Sequence, residues 1–380
     1  MKNDIIHMAF DCAQADVFCF DNDTEVREYH AMIHVNNAML PFAEQLEAVL
    51  TAYHGLLNEL PGAHAVFKRY FLSDAANQAD AVVLADVTDC AKSVIQQAPL
   101  DGTKVGLWVY LMTGVKTAVT KGGLYEVSHG AYRHLWNGSA CNLAANSEYQ
   151  MRLLFNEWVM QLMEEGCTLK DNAIRTWLFV NDVDLNYGGV VRARNQVFFT
   201  QGLTRETHFI ASTGIGGRQQ DPNVLAQMDN YAIAGIREEQ IHYLYAPTHL
   251  NRTSDYGVSF ERGTYIDYGD RRHVFVSGTA SINNKGQIMH EGDVVKQTHR
   301  MWENVEKLLA EAECTYDDTA YMIVYLRDTA DYAVVRSLYE ERFSNKPYII
   351  VHAPVCRPGW LVEMECMAVK SIQNETAEPL

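Results

Sequence analysis

The stretch KQTHRMWENVEKLLAEAECTYDDTAYMIVYLRD (residues 296–328) combines an amphipathic helix, a turn and an apolar strand that ends in a charged pair. Apolar residues recur every three or four positions in its first part, which places them on one helical face: Met301, Val305, Leu308, Leu309 and Ala312. The run AYMIVYL (320–326) has the length and the aromatic and β-branched composition of a strand, and Asp328 follows it closely. The stretch therefore predicts a helix that packs on a sheet.

The same pattern occurs twice earlier in the chain. Helical stretches of similar phase occupy residues 43–60 and 149–166, and each is followed by a strand that ends in aspartate. The distance from the glutamine that opens each helix to that aspartate is 29, 32 and 31 positions, for Gln45 to Asp74, Gln150 to Asp182 and Gln297 to Asp328. This agreement predicts three copies of one structural unit.

Further landmarks recur around each copy. A β-like segment precedes each first helix, at 28–36, 132–142 and 273–283, and a second helix is predicted to begin at a small-Val-Val triplet, at Ala81, Gly189 and Ala333. A last strand follows, at 104–111, 207–214 and 348–355. The order β, α, β, α, β predicts an α+β class in which each mixed sheet is covered by two helices. We expect units at residues 1–120, 121–255 and 256–380.

Composition excludes several classes of function. The formal net charge of -17 and the lack of a basic stripe argue against nucleic acid as a partner. The chain shows no signal peptide and no apolar run long enough to cross a membrane, so a cytoplasmic protein is expected. Its eight cysteines include no C-x-x-C pair, and His30 and His34 have no carboxylate partner on their predicted strand, so we expect no metal. No nucleotide-binding glycine motif occurs, and we expect no cofactor.

The third copy resembles the Rid (YjgF) family in HVFVSGTASIN (273–283), GDVVKQTHRMWENVEKLLAEAECTYDD (292–318), YLRD (325–328) and LVEMECMAV (361–369). The resemblance spans about residues 265–372. Small Rid subunits form homotrimers with ligand clefts between neighbours. The resemblance therefore implies that the three repeats of one chain form a pseudo-trimer, and it favours a monomeric pseudo-trimer over a homotrimer of this chain. Rid imine deaminases carry a substrate-binding arginine where gap-free counting places Tyr348, which cannot form a bidentate charged clamp.

The later half also resembles chorismatases, which are built on Rid-like domains and split chorismate into pyruvate and a cyclic acid. The similarity spans about residues 170–372 and rests on EEQIHYLYAPTHLNRTSDYGVSFERGTYI (238–266) and APVCRPGWLVEMEC (353–366), with looser support from ARN (193–195) and STGIGG (212–217). It implies the following roles: Glu363 as the catalytic acid, Cys356 as the residue that favours an aromatic product, and Arg327, Arg194, Arg262 and Gly214 as substrate-binding positions.

The residues themselves leave alternatives open. Glu363 is either a neutral acid in a dry cleft, as its apolar neighbours Leu361 and Val362 allow, or a residue on a solvated strand face. Arg327 either binds a carboxylate or pairs with an acid such as Asp328. Cys356 is either a participant in catalysis or a small buried residue.

Three hypotheses for function follow from the resemblance. The first is a hydrolase or lyase that cleaves the enolpyruvyl ether of chorismate or a related small cyclic carboxylic acid. The second is a Rid-type imine or enamine hydrolase, and the third is a binder of small acids without catalytic activity.

Overall fold

Three units of the same design follow one another along the chain. The computed structural model describes residues 3–380. The first unit comprises β1 (Asp4–Ala9), β2 (Ala13–Phe20), β3 (Glu28–Val35), α1 (Phe42–Glu59), β4 (His64–Leu72), α2 (Ala75–Ala85), β5 (Ala91–Gln96) and β6 (Val105–Met112). The second comprises β7 (Lys116–Val119), β8 (Tyr125–His129), β9 (Tyr132–Cys141), α3 (Ser147–Glu164), the short α4 (Leu169–Asn172), β10 (Ala173–Val180), α5 (Val183–Thr200), β11 (Ala211–Gly216) and β12 (Ala226–Ala234). The third comprises β13 (Ile241–Leu244), β14 (Gly263–Asp267), β15 (Arg271–Ala280), α6 (Val294–Glu311), β16 (Thr319–Leu326), α7 (Tyr332–Phe343), β17 (Tyr348–His352) and β18 (Val362–Ser371).

Each unit forms a six-stranded mixed sheet with one strand order. The orders are β1-β2-β3-β6-β4-β5, β7-β8-β9-β12-β10-β11 and β13-β14-β15-β18-β16-β17. In every sheet the last two strands of this order are parallel and all other neighbours are antiparallel. The predicted α+β class and the internal triplication are confirmed.

The helix-opening glutamines have a common structural task. The side-chain oxygens of Gln45, Gln150 and Gln297 accept hydrogen bonds from the backbone N–H groups of Lys104, Leu225 and Leu361, at 2.7, 2.7 and 2.9 Å. These three residues directly precede β6, β12 and β18. Because a buried amide must have partners, the glutamine fixes the start of the last strand against the first helix in every unit. In the third unit this contact sets the entry to the strand that carries Glu363.

The inner faces of the three sheets pack against one another around a pseudo-threefold axis. Aromatic pairs join all three units: Phe67 to Trp136 at 5.3 Å, Trp108 to Tyr321 at 4.1 Å, and Tyr231 to Phe275 at 5.7 Å between ring centroids. The helices cover the outer faces. The chain therefore forms the pseudo-trimer that the repeats predict. None of the helices between residues 3 and 380 combines the length and apolar composition needed to span a bilayer.

Some predicted details are wrong. α2 and α5 begin at Ala75 and Val183, soon after the strand and six residues before the small-Val-Val triplet, so the triplet marks a helix interior there. The predicted last strand of the first unit (104–111) is β6, which corresponds to β12 and β18; the true counterpart of β11 and β17 is β5. β5 alternates buried and half-buried residues and is only six residues long, which gives a weak sequence signal.

Each unit opens with three strands, and the first of these strands lies outside the expected limits of the second and third units. β7 and β13 precede the expected boundaries at 120 and 255, yet they pair with β8 and β14 of the following sheets. Both are four residues long, and β7 is exposed throughout, so neither shows the apolar alternation that predicts a strand. The sheets place the junctions at residues 113–115 and 235–240.

Candidate active site between the second and third sheets

A cavity of about 280 Å³ lies where the second unit meets the third. α5 and β11 form one wall, and the loop before β14, the end of β15 and the start of β18 form the other. Its charged lining residues are one acid and three bases: Glu363, Arg194, Arg262 and Arg357. The volume is near the lower end of small-molecule sites, so it suits a compact ligand.

Glu363 supplies the acid from the second position of β18. Its side chain is buried, at 4% exposure, and the solvated alternative is therefore wrong. Desolvation, with a further contribution from the nearby Glu365 carboxylate, raises the pKa of Glu363 to about 8, although Arg262 and Arg175 act in the opposite direction. At neutral pH Glu363 is therefore mainly an uncharged carboxylic acid, which can donate a proton.

Glu365, two residues further along β18, has the opposite environment. Its carboxylate accepts hydrogen bonds from Arg175 Nη2 at 2.9 Å and from Trp177 Nε1 at 2.6 Å, both in β10 of the second unit. Arg69 of the first unit lies 3.8 Å away and itself pairs with Asp229 at 2.9 Å. Glu365 is thus part of a buried ionic cluster in which all three units take part, and its role is structural.

The backbone of β15 comes very close to the Glu363 carboxyl group at Gly278. A β-carbon built at Gly278 of β15 would lie 2.2 Å from Glu363 Oε1 and 3.0 Å from the methyl carbon of Thr213. Only glycine therefore leaves room for the carboxyl group at this point. The Gly278 N–H donates to the Thr213 hydroxyl at 2.9 Å, which ties β15 of the third unit to β11 of the second.

Two of the predicted substrate-binding arginines line the cavity. Arg194 in α5 is 1% exposed, and its Nε and Nη2 have no hydrogen-bond partner within residues 3–380. Arg262 donates from Nε and Nη2 to the Asn251 carbonyl at 3.1 and 3.0 Å. Because a buried guanidinium needs acceptors, the unpaired nitrogens of Arg194 are suited to a carboxylate of a ligand.

Arg327 lies outside the set of residues that line this cavity. Its Nη1 donates to the Val355 carbonyl at 2.6 Å, and its Nη2 donates to Asp184 of α5. The ion pair that sequence reasoning left open does form, but with Asp184 rather than with Asp328. The counterparts of Arg327 in the first and second units are Ser73 and Asn181. In each unit the backbone N–H of this residue donates to the carbonyl of the residue before the neighbouring strand, namely Lys104, Leu225 or Leu361. Arg327 fastens the loop before Cys356 to the second unit.

Cys356 and Gly214 both line the cavity, and Tyr187 stands between them. Burial and the nearby Glu363 raise the pKa of the Cys356 thiol to about 12, so the sulfur is a thiol and not a thiolate at neutral pH. A β-carbon at Gly214 would lie 2.8 Å from the ring of Tyr187, so glycine permits the ring to occupy this place. Desolvation also raises the pKa of Tyr187.

The acid occurs in one of three equivalent positions. In the three sheets Glu363 pairs with Tyr325, Gly106 pairs with Phe71, and Gln227 pairs with Phe179. These pairs occupy the same register position, so Gly106 and Gln227 are the counterparts of Glu363. A β-carbon at Gly106 would lie 2.7 Å from Ile349, and Gln227 bonds to Val94 and Ser139 of neighbouring strands. The other two clefts therefore lack a carboxylic acid at this place.

Tyr348 belongs to a different cleft. It lines the wider space, of about 620 Å³, between the third and first units, and its carbonyl contacts His34 at 3.0 Å. Register along β11 and β17 aligns Tyr348, opposite Met322, with Ser212, opposite Thr176. Ser212 lines the cavity of Glu363, so that cavity too has no arginine at the position that sequence counting assigned to Tyr348.

Sequence reasoning missed several lining residues. Arg357 stacks on Tyr256 and Trp360, at 4.6 and 4.7 Å from the ring centroids, and all three border the cavity. The Cys-Arg pair in VCRPGW was the available signal for Arg357. Tyr187 and Tyr256 gave none, because they come from a helix and a loop whose faces become known only in the folded chain.

Comparisons with known proteins agree with this architecture. A family model described as endoribonuclease L-PSP matches residues 262–370. A RutC family protein of Pyrococcus abyssi is 33% identical over 99 residues, which are 26% of this chain and 78% of that protein. A 3-hydroxybenzoate synthase of Streptomyces hygroscopicus is 29% identical over 217 residues, which are 51% of this chain and 62% of that enzyme. The match thus spans less than two thirds of the synthase.

Among solved structures, a crystal structure of chorismatase superposes with a TM-score of 0.62 at 18% identity and covers 80% of this chain and 93% of that one. At this identity the likeness establishes a shared fold. The relative from Pyrococcus is matched over 78% of its length, the family model matches residues of the third unit, and the first two units repeat the topology of the third. The chain thus belongs to the Rid (YjgF) family, of which it carries three units in succession.

Proposed function

We propose that this protein cleaves the enolpyruvyl ether of chorismate, or of a closely related cyclic carboxylic acid, and releases pyruvate. The observation that carries the proposal is Glu363, an uncharged carboxylic acid inside a cavity whose other charged lining residues are arginines. The likeness to the synthase and the chorismatase supports the same class of reaction.

The reaction requires a proton donor that is protonated at neutral pH and shielded from water. Glu363 transfers its proton to the methylene carbon of the enol ether, and the adjacent carbon becomes an oxocarbenium ion. Water adds to that carbon, and the resulting hemiketal loses the ring alcohol to give pyruvate. The glutamate left behind is ionised and recovers its proton from water. A donor with a pKa near 8 is protonated at the start of each turnover at neutral pH.

The arginines supply the countercharge for a substrate with two carboxylates. Arg194 offers free donors, and Arg262 and Arg357 add positive charge on the opposite wall. An uncharged Glu363 does not repel such a dianion. The cavity therefore suits a small acid with at least one carboxylate directed at α5.

Cys356 bears on the fate of the ring. It lines the cavity as a neutral thiol that can donate a hydrogen bond to the ring, because burial raises the pKa of Cys356 to about 12. We propose that it favours an aromatic hydroxybenzoate, as the name of the Streptomyces synthase suggests, over a dihydrodiol. In the aromatic route the ring also loses one water, its second hydroxyl group leaving together with a ring hydrogen, so the route takes up no net water, whereas the dihydrodiol route consumes one water.

The test is to incubate the purified protein with chorismate and to follow pyruvate with a coupled dehydrogenase while the ring product is separated by chromatography. Equal amounts of pyruvate and 3-hydroxybenzoate, lost in Glu363→Gln and kept in Glu340→Gln, are expected. Glu340 is a matched control because it borders the cleft between the third and first units. Pyruvate at no more than the spontaneous rate would contradict the proposal.

The alternative of imine or enamine hydrolysis lacks a specific support. Neither Ser212 nor Tyr348 provides the charged clamp that Rid imine deaminases place on this strand. Ammonia release from a freshly generated imino acid, without pyruvate release from chorismate, would favour it. Binding of chorismate without turnover would favour the third hypothesis, a binder of small acids.

We also propose that the pseudo-trimer works as a monomer. Each unit already has two neighbours, and the inner faces that a homotrimer would join are buried within one chain. Light scattering after gel filtration tests this, and a mass of three chains would contradict it.

A further inference from the structure

Thr213 occupies a junction between the acid and the buried ionic cluster. It lies in β11 of the second unit at 1% exposure, where that sheet meets β15 of the third. Its hydroxyl accepts hydrogen bonds from Arg175 Nη2 at 2.6 Å and from the Gly278 N–H at 2.9 Å. A hydroxyl oxygen has two lone pairs, so both are occupied and the side chain is fixed in one orientation.

Both donors belong to residues close to Glu363. A β-carbon built at Gly278 would lie 2.2 Å from Glu363 Oε1, and the same β-carbon would lie 3.0 Å from the Thr213 methyl carbon. Arg175 is near enough for its charge to act on Glu363, although its Nη2 is bound to Thr213 and Glu365. Within residues 3–380 neither donor forms a hydrogen bond to Glu363.

If Arg175 or the Gly278 N–H were free to bind Glu363, the protonation of Glu363 at neutral pH would change. A carboxylate that gains an N–H or guanidinium hydrogen bond is stabilised in its ionised form, and it then no longer holds a proton at neutral pH. Thr213 keeps both donors, Arg175 Nη2 and the Gly278 N–H, occupied.

We propose that Thr213 is a positioning residue that keeps Glu363 in its acid form by engaging Arg175 and Gly278, the two donors that would otherwise bind the ionised carboxylate. This inference rests on the proposed role of Glu363 as the acid. The second unit then has a definite part in the chemistry, because it supplies both Thr213 and Arg175 beside an acid on the third unit.

Other groups also face Glu363 and act on its charge. From the same strand comes Glu365, and the neighbouring elements contribute Arg175, Arg262, Tyr187, Tyr325 and Cys356. Replacing Thr213 by the isosteric valine leaves all of them in place. The substitution therefore isolates the effect of the two released donors.

The test is a titration of the Glu363 carboxyl carbon by NMR in protein labelled with ¹³C at glutamate Cδ, with Glu363→Gln used to assign the signal. Thr213→Val is expected to move the titration to lower pH by about two units, which would reduce the protonated fraction at pH 7 about tenfold. Thr213→Ser, which keeps the hydroxyl group, is expected to titrate as the wild type does. Thr213→Ala replaces the valine variant if the latter does not fold.

Tyr110→Phe is the matched control for loss of a buried hydroxyl. Tyr110 donates to Glu28 at 2.5 Å in the core between the first and third units, remote from the cavity. It is expected to lower thermal stability without moving the Glu363 titration. A titration that moves equally in Tyr110→Phe, or stays unchanged in both Thr213→Val and Thr213→Ala, would overturn the inference.

The pH profile of pyruvate release is the second readout. In Thr213→Val the activity is expected to be lost at a lower pH than in the wild type, with Thr213→Ser restoring the original profile. Because the NMR titration needs no substrate, a shifted titration in a protein that does not cleave chorismate would refute the proposed function and leave the role of Thr213 standing. An active enzyme with an unshifted titration would refute the role of Thr213 alone.

Discussion

Glu363 and Glu365 project from the same face of β18, two residues apart, and Arg175 and Trp177 hydrogen-bond to Glu365 at 2.9 and 2.6 Å but not to Glu363. Two carboxyl groups on one strand thereby have different surroundings. Burial, together with the nearby Glu365 carboxylate, raises the pKa of Glu363 to about 8. A carboxylic acid kept neutral beside a second carboxyl group in other surroundings is typical of sites for proton transfer.

The rate of pyruvate release is expected to fall as the pH rises through about 8. Glu363 must be protonated to act, and its pKa is raised to about that value by burial. The measurement is kcat/KM for chorismate between pH 5.5 and 9.5, because this ratio reports the ionisation of the free enzyme. A rate that rises across pH 8 would instead indicate a base as the essential group.

The stability of the fold is expected to depend on the same group. An unfolded glutamate has a pKa of about 4.3, so between pH 4.3 and 8 the unfolded chain ionises while folded Glu363 does not, and the free energy of unfolding falls. Glu363→Gln removes this loss. The variant is expected to equal the wild type near pH 4 and to exceed it at pH 8, by at most about 5 kcal/mol.

Urea denaturation at pH 4, 6 and 8 measures that difference. Glu340→Gln, at a half-exposed side chain paired with Arg336, is the control and is expected to give a constant, small difference. A Glu363→Gln difference that does not change with pH would show that the carboxyl group is not held neutral.

Replacement of Arg194 is expected to weaken substrate binding without lowering the stability of the fold. Arg194→Met removes a buried guanidinium with unpaired nitrogens, so the fold is expected to keep or gain stability, because an uncompensated buried charge is costly. KM for chorismate is expected to rise about 10- to 100-fold, corresponding to loss of a charge-assisted hydrogen bond of about 1.5–3 kcal/mol. Thermal denaturation and steady-state kinetics provide the two readouts. A stable variant with unchanged KM would remove Arg194 from the substrate site.

Cys356→Ala is expected to keep pyruvate release within a few-fold and to shift the ring product from 3-hydroxybenzoate toward a dihydrodiol. The thiol is neutral at pH 7 and lies on the cavity wall, so its loss alters the ring's surroundings and leaves the acid in place. Chromatography of the ring products measures the ratio. Cys141→Ala, at an exposed cysteine, is the control. An unchanged product ratio would assign Cys356 to packing.

Arg327→Met is expected to leave KM almost unchanged and to cost about 1 kcal/mol of stability, since its partner Asp184 is half exposed. The resemblance to chorismatases implied a substrate-binding role, whereas the contacts with Val355 and Asp184 indicate a fastening of the loop. Kinetics with Asp184→Asn as the partner variant distinguish the two. A large rise in KM for Arg327→Met alone would restore the substrate-binding role.

Sequence reasoning reached the repeated helices and central strands because their apolar periodicity is strong, as in Met301, Val305 and Leu308. It failed at β5, β7 and β13, which are short and lie at or near the edges of their sheets. Edge strands gain their regularity from pairing with a neighbour, and the sequence of one strand does not contain that information.

The candidate site was predictable only in part, for a related reason. Glu363, Cys356, Arg194, Arg262 and Gly214 line the cavity, as the resemblance implied. Which cleft Tyr348 enters, and which acid meets Arg327, depends on how neighbouring units pack. Those contacts join residues more than 100 positions apart, where local pattern carries no signal.

The loss of symmetry at Gly106, Gln227 and Glu363 has a consequence for stoichiometry. In a ring of identical subunits, any change at this position alters every cleft at once. One chain with three units can keep the acid once, fill the equivalent place with Ile349 in the second cleft, and occupy the third with Gln227, which bonds to the Val94 carbonyl and the Ser139 hydroxyl. Such a protein is expected to bind one substrate molecule per chain, and its remaining two clefts are free to change without cost to turnover.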